Sequence, residues 1–362
     1  MKKSLSSDLF LVFAKARSVG VIKLSAVLAL GGLASNTVYG QEERRANRLM
    51  EEVVVTAQKR EESSQDVPIA ILAYSSEKLD ALGIDSAQDL EKITPGFTVT
   101  NAVGYSVAYM RGVGTDAFLP GADPSVPFYI DGVPLLGSQG SSDTLGRVER
   151  VEVLKGPQGT LFGRNATGGA VNIITPSPGE EFTGDIKVEF GSRRERNILG
   201  YVEVPVTENI AFSLSAFENR RDNYYTNNGT KSNGEPGPDL FDITASGVRL
   251  KARWDITESL VLSLAASTND VQGNAGLNYE NTRVSALGNA LGMPEDPKAD
   301  RRVKYDSQAG ATNESELASI TLEWFTNLFD VKLIASDQEV DAPFVQADFD
   351  KSELELVNIT SI

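Results

Sequence analysis

The order of apolar and polar residues changes character near residue 180. Beyond it, apolar side chains fall on every second position. Ile186, Val188 and Phe190 alternate with Lys187 and Glu189, and Ile210, Phe212, Leu214 and Ala216 alternate with Ala211, Ser213 and Ser215. Val248, Leu250, Ala252 and Trp254 oppose Arg249, Lys251, Arg253 and Asp255. Leu260, Leu262 and Leu264 continue the pattern, and Ala318, Ile320, Leu322 and Trp324 oppose Ser319, Thr321 and Glu323. A period of two predicts β-strands with one apolar and one polar face. The links alternate as well. Pro205 to Asn209, Asp255 to Ser259 and Phe325 to Leu328 are short, whereas Arg221 to Leu240 and Asn269 to Ser315 are long and polar. Short turns at one end and long loops at the other predict an antiparallel barrel in an outer membrane, apolar outside and wet within. A soluble sandwich gives the same alternation but does not require the asymmetry of the links.

Residues 67–178 predict a compact α+β domain instead. Ser76 to Leu82 reads as a short helix, with Ser75 or Ser76 at its start and Gly83 as its stop. Ser86 to Ile93 reads as a second, opened by Ser86 and Asp89 and closed before Pro95. Strands are expected at Phe97 to Thr100, Tyr109 to Val113, Val126 to Ile130, Val148 to Lys155 and Ala170 to Thr175, and a helix start at Ser142-Asp143. Asp131-Gly132 is a turn signal, and residues 176–179 (PSPG) form a linker.

The first forty residues read as an export signal. Lys2, Lys3, Lys15, Arg17 and Lys23 precede the apolar run Leu24 to Ala34, and Val38-Tyr39-Gly40 offers a cleavage site before Gln41. A short membrane anchor is the alternative, but a run of roughly 20 apolar residues is missing. Residues 41–50 read as a flexible lead. The β-prone patch Glu51 to Gln58 (EEVVVTAQ) stands between polar flanks. Such a strand either edges the next domain or is offered to a partner; composition favours the edge strand.

Composition narrows the chemistry. The chain carries 34 Lys+Arg against 50 Asp+Glu, which excludes a basic nucleic-acid footprint. It has no cysteine and no histidine, so disulfides, thiolate metal sites and histidine-based triads are excluded within this stretch. Residues 156–163 (GPQGTLFG) lack the Gly-Lys-Ser/Thr ending of a phosphate loop. Asp116, Asp123, Asp131 and Asp143 are too scattered for a metal site, and Asp131 suits a turn. No cofactor, resident metal or catalytic residue is expected.

Five segments together resemble TonB-dependent outer-membrane receptors. They are Glu51 to Gln58, which looks like a TonB box; Met110-Arg111-Gly112; residues 128–134 (FYIDGVP); residues 148–157 (VERVEVLKGP); and residues 160–174 (TLFGRNATGGAVNII). They occur in the family's order and cover about 51–178; the remainder is similar only in its strand pattern. The resemblance implies a signal peptide at 1–40, a flexible leader with the box at 41–66, a plug domain at 67–178 and the first part of a barrel at 179–362. It implies structural roles in the plug for Arg111, Gly112, Asp131, Gly132, Gly156, Pro157, Gly163, Gly168 and Gly169.

Family membership would also turn the edge-strand preference around. Glu52, Val53, Val54, Val55, Thr56 and Ala57 would pair with TonB, which is driven by its inner-membrane energising complex. The receptor would sit in the outer membrane of a Gram-negative bacterium, in contact with lipid, with plug and N-terminus facing the periplasm. It would take up a scarce nutrient such as a ferric siderophore, or a carbohydrate or other ligand. With only about ten residues between cleavage site and box, uptake is favoured over transcriptional signalling. Topology places the apical loops Asn101 to Val107 and Thr115 to Ser125 toward substrate, with Tyr105, Asp116 and Phe118 as contact candidates. The family barrel has 22 strands, whereas about eight are readable here. The alternative is a truncated, non-transporting binding or remnant protein.

Overall fold

The computed structural model describes residues 54–56, 62–63, 67, 69–102, 105–115, 123–136, 146–222, 226–228, 233–236, 242–273, 302–303, 310–348 and 358–361. The described elements begin with an antiparallel pair, β1 (Val54–Val55) and β2 (Glu62–Ser63). Strand β3 (Ala70–Ser75) leads directly into helix α1 (Ser76–Leu82). Gly83, at φ 64°, ends that helix and returns its N–H to the carbonyls of Asp80 and Leu79.

The predicted second helix over Ser86 to Ile93 is reduced to one 3-10 turn, Asp89–Lys92. The reciprocal cap is nevertheless present: Asp89 N–H donates to Ser86 Oγ at 3.2 Å, and Ser86 N–H to Asp89 Oδ2 at 3.2 Å. Pro95 follows too closely for another turn, and Ala87 and Leu90 are already fully buried within the one that forms.

Strands β4 (Phe97–Ala102) and β5 (Tyr105–Met110) form a hairpin. The second strand therefore begins four residues earlier than the apolar run from Tyr109 suggests. Strands β6 (Phe128–Ile130) and β7 (Val133–Pro134) flank the Asp131-Gly132 turn, and β8 (Arg150–Lys155), α2 (Gly159–Phe162) and β9 (Gly169–Ile174) follow. The five-stranded mixed sheet has the order β3-β8-β9-β6-β7, with β6 and β9 parallel.

Alternation along β8 and β9 divides this sheet into two faces. Val151 and Val153 pair with Ile173 and Val171 and enter the main core with Leu79, Leu90, Phe97 and Met110. Leu154 and Ala170 pair on the opposite face, where Tyr129, Phe162, Ala166, Val67 and Val55 cover them. Gly169 is required between the layers, because a Cβ there would stand 2.4 Å from the Leu154 carbonyl oxygen.

The remaining chain forms one antiparallel sheet of eight strands: β10 (Thr183–Phe190), β11 (Arg196–Thr207), β12 (Ile210–Arg221), β14 (Ile243–Thr257), β15 (Leu260–Gly273), β17 (Gly310–Phe325), β18 (Asp330–Asp348) and β19 (Asn358–Ser361). Two-residue strands β13 (Thr226–Asn227) and β16 (Arg302–Val303) pair in parallel between the two long connections. The eight strands are as many as the alternation predicts. The barrel is not closed: among the described residues β10 and β19 each pair on one side only.

Turns at 208–209, 258–259 and 326–329 share one end, and each begins with a threonine. Thr207, Thr257 and Thr326 accept the N–H two residues on, at 3.3–3.4 Å. The outward face is apolar and bare: Ile186, Val188, Phe212, Leu250, Trp254, Leu264, Ile320 and Trp324 are all at least 40% exposed. In water this would be a costly surface; in hydrocarbon it is the expected one. The inward positions are polar and face the α+β domain. Among the described residues no helix is long and apolar enough to cross a membrane.

Candidate functional site

The site begins with β1. Val55 is fully buried against the second face of the mixed sheet. Beside it, Thr56 N–H donates to Glu152 Oε1 at 2.8 Å, and Thr56 Oγ1 approaches the same oxygen at 3.2 Å. Glu152 is itself fully buried on β8, because the face opposite Val151 and Val153 points toward β1. Its charge is met by Arg150 Nε at 2.9 Å and by Asn172 Nδ2 at 3.1 Å, the latter from the directly opposed residue of β9. A buried carboxylate without such donors would be strongly unfavourable.

A second cluster fixes the domain to the strand wall. Asp131 and Gly132 have φ values of 51° and 86°, both positive as a type I′ hairpin requires. This turn aims the Asp131 carboxylate at the end of β9. Thr175 N–H donates to Asp131 Oδ1 at 2.9 Å and Thr175 Oγ1 to Oδ2 at 2.6 Å. From the wall, Lys251 Nζ reaches Asp131 Oδ2 at 3.2 Å, Thr175 O at 3.1 Å and Thr175 Oγ1 at 2.9 Å. Burial pushes the Asp131 carboxyl up. The charge of Lys251, the Thr175 bonds and the charge of Arg249 outweigh it, and the group is held below the usual carboxylate range.

A looser contact lies between α1 and strands β10–β12. Lys187 Nζ sits 2.8 Å from Asp80, 3.1 Å from Glu189 and 3.7 Å from Asp85. Arg147 pairs with Asp185 at 3.0 Å and lies 5.2 Å above the Tyr201 ring. A cavity of about 60 Å³ opens among Asp80, Asp85, Arg147, Lys187, Glu189 and Phe217, enough for a few water molecules. Burial pushes the Asp85 carboxyl up, and Lys187 only partly reverses this because Glu189, Asp89 and Asp80 oppose it.

Of the residues singled out from the sequence, Val54, Val55 and Thr56 are brought onto the sheet, whereas Glu52, Val53 and Ala57 lie outside the described residues. Tyr105 begins β5, and Asp116 and Phe118 lie outside the described residues, as does the helix start expected at Ser142-Asp143. Arg111 (φ 52°) and Gly112 form the turn after β5. The Gly156 N–H donates to the Gly168 carbonyl at 3.0 Å across the segment that contains Pro157, α2 and Gly163. Sequence reading missed Glu152, Asn172, Thr175, Lys187 and Lys251. The available signal was a glutamate in the middle of an apolar strand. No group of acidic residues able to hold a metal ion occurs among the described residues.

A mixed-sheet domain held against the polar inward face of antiparallel strands, with an apolar outward face, is the arrangement of a plug domain beside the wall of an unclosed β-barrel. Residues 63–170 match the family model of the TonB-dependent Receptor Plug Domain. It is 33% identical over 171 residues to the pesticin receptor of Yersinia pestis, covering 46% of this chain and 24% of that protein. It is 28% identical over 290 residues to the ferric enterobactin receptor of Pseudomonas aeruginosa, covering 68% of this chain and 38% of that protein.

Among solved structures, the ferric yersiniabactin uptake receptor FyuA from Yersinia pestis superposes with a TM-score of 0.63 at 22% identity, over 76% of this chain and 42% of the other. The ferripyoverdine receptor of Pseudomonas aeruginosa bound to ferripyoverdine gives 0.65 at 19% identity, over 84% and 38%. The chain thus spans between 24% and 42% of the length of these relatives. All of them are receptors by name, and none is an enzyme.

Proposed function

We propose that this chain is the N-terminal part of an outer-membrane transporter that takes up a ferric siderophore, with TonB as its energy-coupling partner. The observation that carries the reading is the β-prone strand around Val54–Val55, packed on the second face of a domain whose sequence matches the plug model of the TonB-dependent receptors. Pairing with a partner's sheet edge needs backbone groups and β-compatible side chains, which this valine run supplies. No nucleotide-binding motif is present in the sequence, and work supplied from the inner membrane through that strand would replace it. The leader and plug face the periplasm in this reading, residues 1–40 are removed on export, and 41–66, 67–178 and 179–362 serve as leader, plug and barrel. Glu52 to Ala57 contact TonB, and Tyr105, Asp116 and Phe118 contact the substrate from the plug apex. Ferric siderophore is preferred over carbohydrate because the named relatives include a ferric enterobactin receptor and a ferrioxamine B receptor.

The test is deletion of Val53 to Thr56 in the full protein. Uptake of radiolabelled ferric siderophore is expected to disappear while binding at the cell surface persists. Unchanged uptake would refute the reading.

A further inference from the structure

Glu152 is placed where a fold alone has no use for a carboxylate. Its neighbours Val151, Val153 and Leu154 are fully buried and apolar, and Glu152 is as fully buried as they are. The opposing residue on β9 is also polar, Asn172. Together they form a polar notch in an otherwise apolar sheet face, and what fills the notch is Thr56.

We propose that Glu152 and Asn172 form a latch that holds the coupling strand on the plug by grasping Thr56. The proposal rests on the reading of Val53 to Thr56 as the strand offered to TonB.

The chemistry of the notch explains why such a hold is firm in place and still releasable. When docked, Glu152 receives Thr56 N–H and Thr56 Oγ1 besides Arg150 and Asn172. Hydrogen bonds to a charged acceptor are stronger than neutral ones. Enclosing the carboxylate, however, strips it of water, and release gives that hydration back. An apolar notch would gain nothing on release. Specificity follows as well, because one of the donors is a backbone N–H, which reaches the Glu152 carboxylate only when the strand lies with Thr56 over the notch. Glu152 is therefore a positioning residue that sets how often the strand is free. The latch also shares an element with the wall contact: Asn172 lies on β9, three residues before Thr175, which binds Asp131 and Lys251.

These 362 residues hold no cysteine, so in a full protein with any other cysteine replaced by serine a single introduced thiol reports one position. A Val55→Cys thiol should be alkylated slowly in the full protein in outer-membrane vesicles, because Val55 is fully buried. Adding Glu152→Ala, or Thr56→Pro, which removes the N–H without touching the sheet, should raise the rate by about tenfold or more. Thr56→Ser keeps both donors and should leave it slow. A Val171→Cys thiol, equally buried in the main core, should remain protected in every variant. No increase at position 55 in either variant overturns the latch. A parallel increase at position 171 overturns it too, since Glu152 would then hold the plug together rather than the strand. Adding the periplasmic part of TonB separates the two readings. Release by Glu152→Ala without any TonB protection at position 55 leaves the latch standing and removes the coupling role.

Discussion

Lys251 on the barrel wall and Asp131 in the plug turn meet at 3.2 Å, and both also hold Thr175. Three groups from three elements are thus tied in one cluster. Replacing Lys251 by methionine leaves the Asp131 carboxylate with the Thr175 bonds and the charge of Arg249. The expected loss is about 1–3 kcal/mol of plug stability, the range for hydrogen bonds to a charged group. A double-mutant cycle of Asp131→Asn with Lys251→Met, followed by urea unfolding, should return a coupling energy within that range. Strict additivity would mean that the contact carries no stability.

Acid acts on this contact in a definite direction. Asp131 is held below the usual carboxylate value by Lys251, Thr175 and Arg249, despite burial. Its contribution is therefore present above the unfolded value of about 3.9 and is lost as pH falls through the lower folded value. The stability advantage of the native protein over Asp131→Asn should stay constant from pH 7 to 5 and disappear as the medium is brought well below pH 4.

Asp85 gives the opposite sign. Burial, aided by Glu189, Asp89 and Asp80, raises its carboxyl against the pull of Lys187. A raised acid contributes stability below its unfolded value and loses it as pH rises through the folded value. Asp85→Asn should therefore raise the urea midpoint at pH 7 and leave it unchanged at pH 3. A lower midpoint at pH 7 would mean that the 3.7 Å pair with Lys187 dominates instead.

Space at the wall is equally tight. A Cβ on Gly247 would lie 2.3 Å from Asn269 Oδ1 and 2.6 Å from the Phe217 ring, and that ring lies 3.2 Å from a Cβ placed on Gly146 of the plug. Gly247→Ala should drive Phe217 toward Gly146 and cost about 1–3 kcal/mol. Cells carrying it should become more sensitive to a large antibiotic such as vancomycin, read as its inhibitory concentration.

Trp254 and Trp324 both face outward near the short turns, and Trp324 packs edge-on against Phe329 at 6.4 Å. Tryptophans at this height belong at the lipid–water boundary. Brominated lipid should quench fluorescence that disappears in the Trp254→Phe and Trp324→Phe variants. Equal quenching before and after replacement would place these rings away from lipid.

The strands from residue 183 onward were legible because their two faces meet different solvents, and a period of two survives that contrast. Trp254 and Lys251 illustrate it, one outward and one inward. The plug was legible in its turns, since Asp131-Gly132 and Gly83 carry local chemistry. The second helix was overestimated because its cap, Ser86 with Asp89, says where a helix starts and nothing about how far it runs. Lys187 and Lys251 could not be assigned partners, because Asp80 and Asp131 lie more than a hundred residues away along the chain. Glu152 was hidden by its motif, where alternation showed its face without showing what covers it.

Thirteen residues, and so fourteen Cα–Cα steps, separate Thr56 from Ala70, the first residue of β3. Stretched out, they reach at most about 48 Å. Val67 lies within that stretch and is buried with Val55 in the same cluster. Once Thr56 leaves its notch, a puller on the N-terminal side must therefore also free Val67 before tension arrives at the β3–β8 register. The load reaches the plug sheet in steps, one anchor at a time.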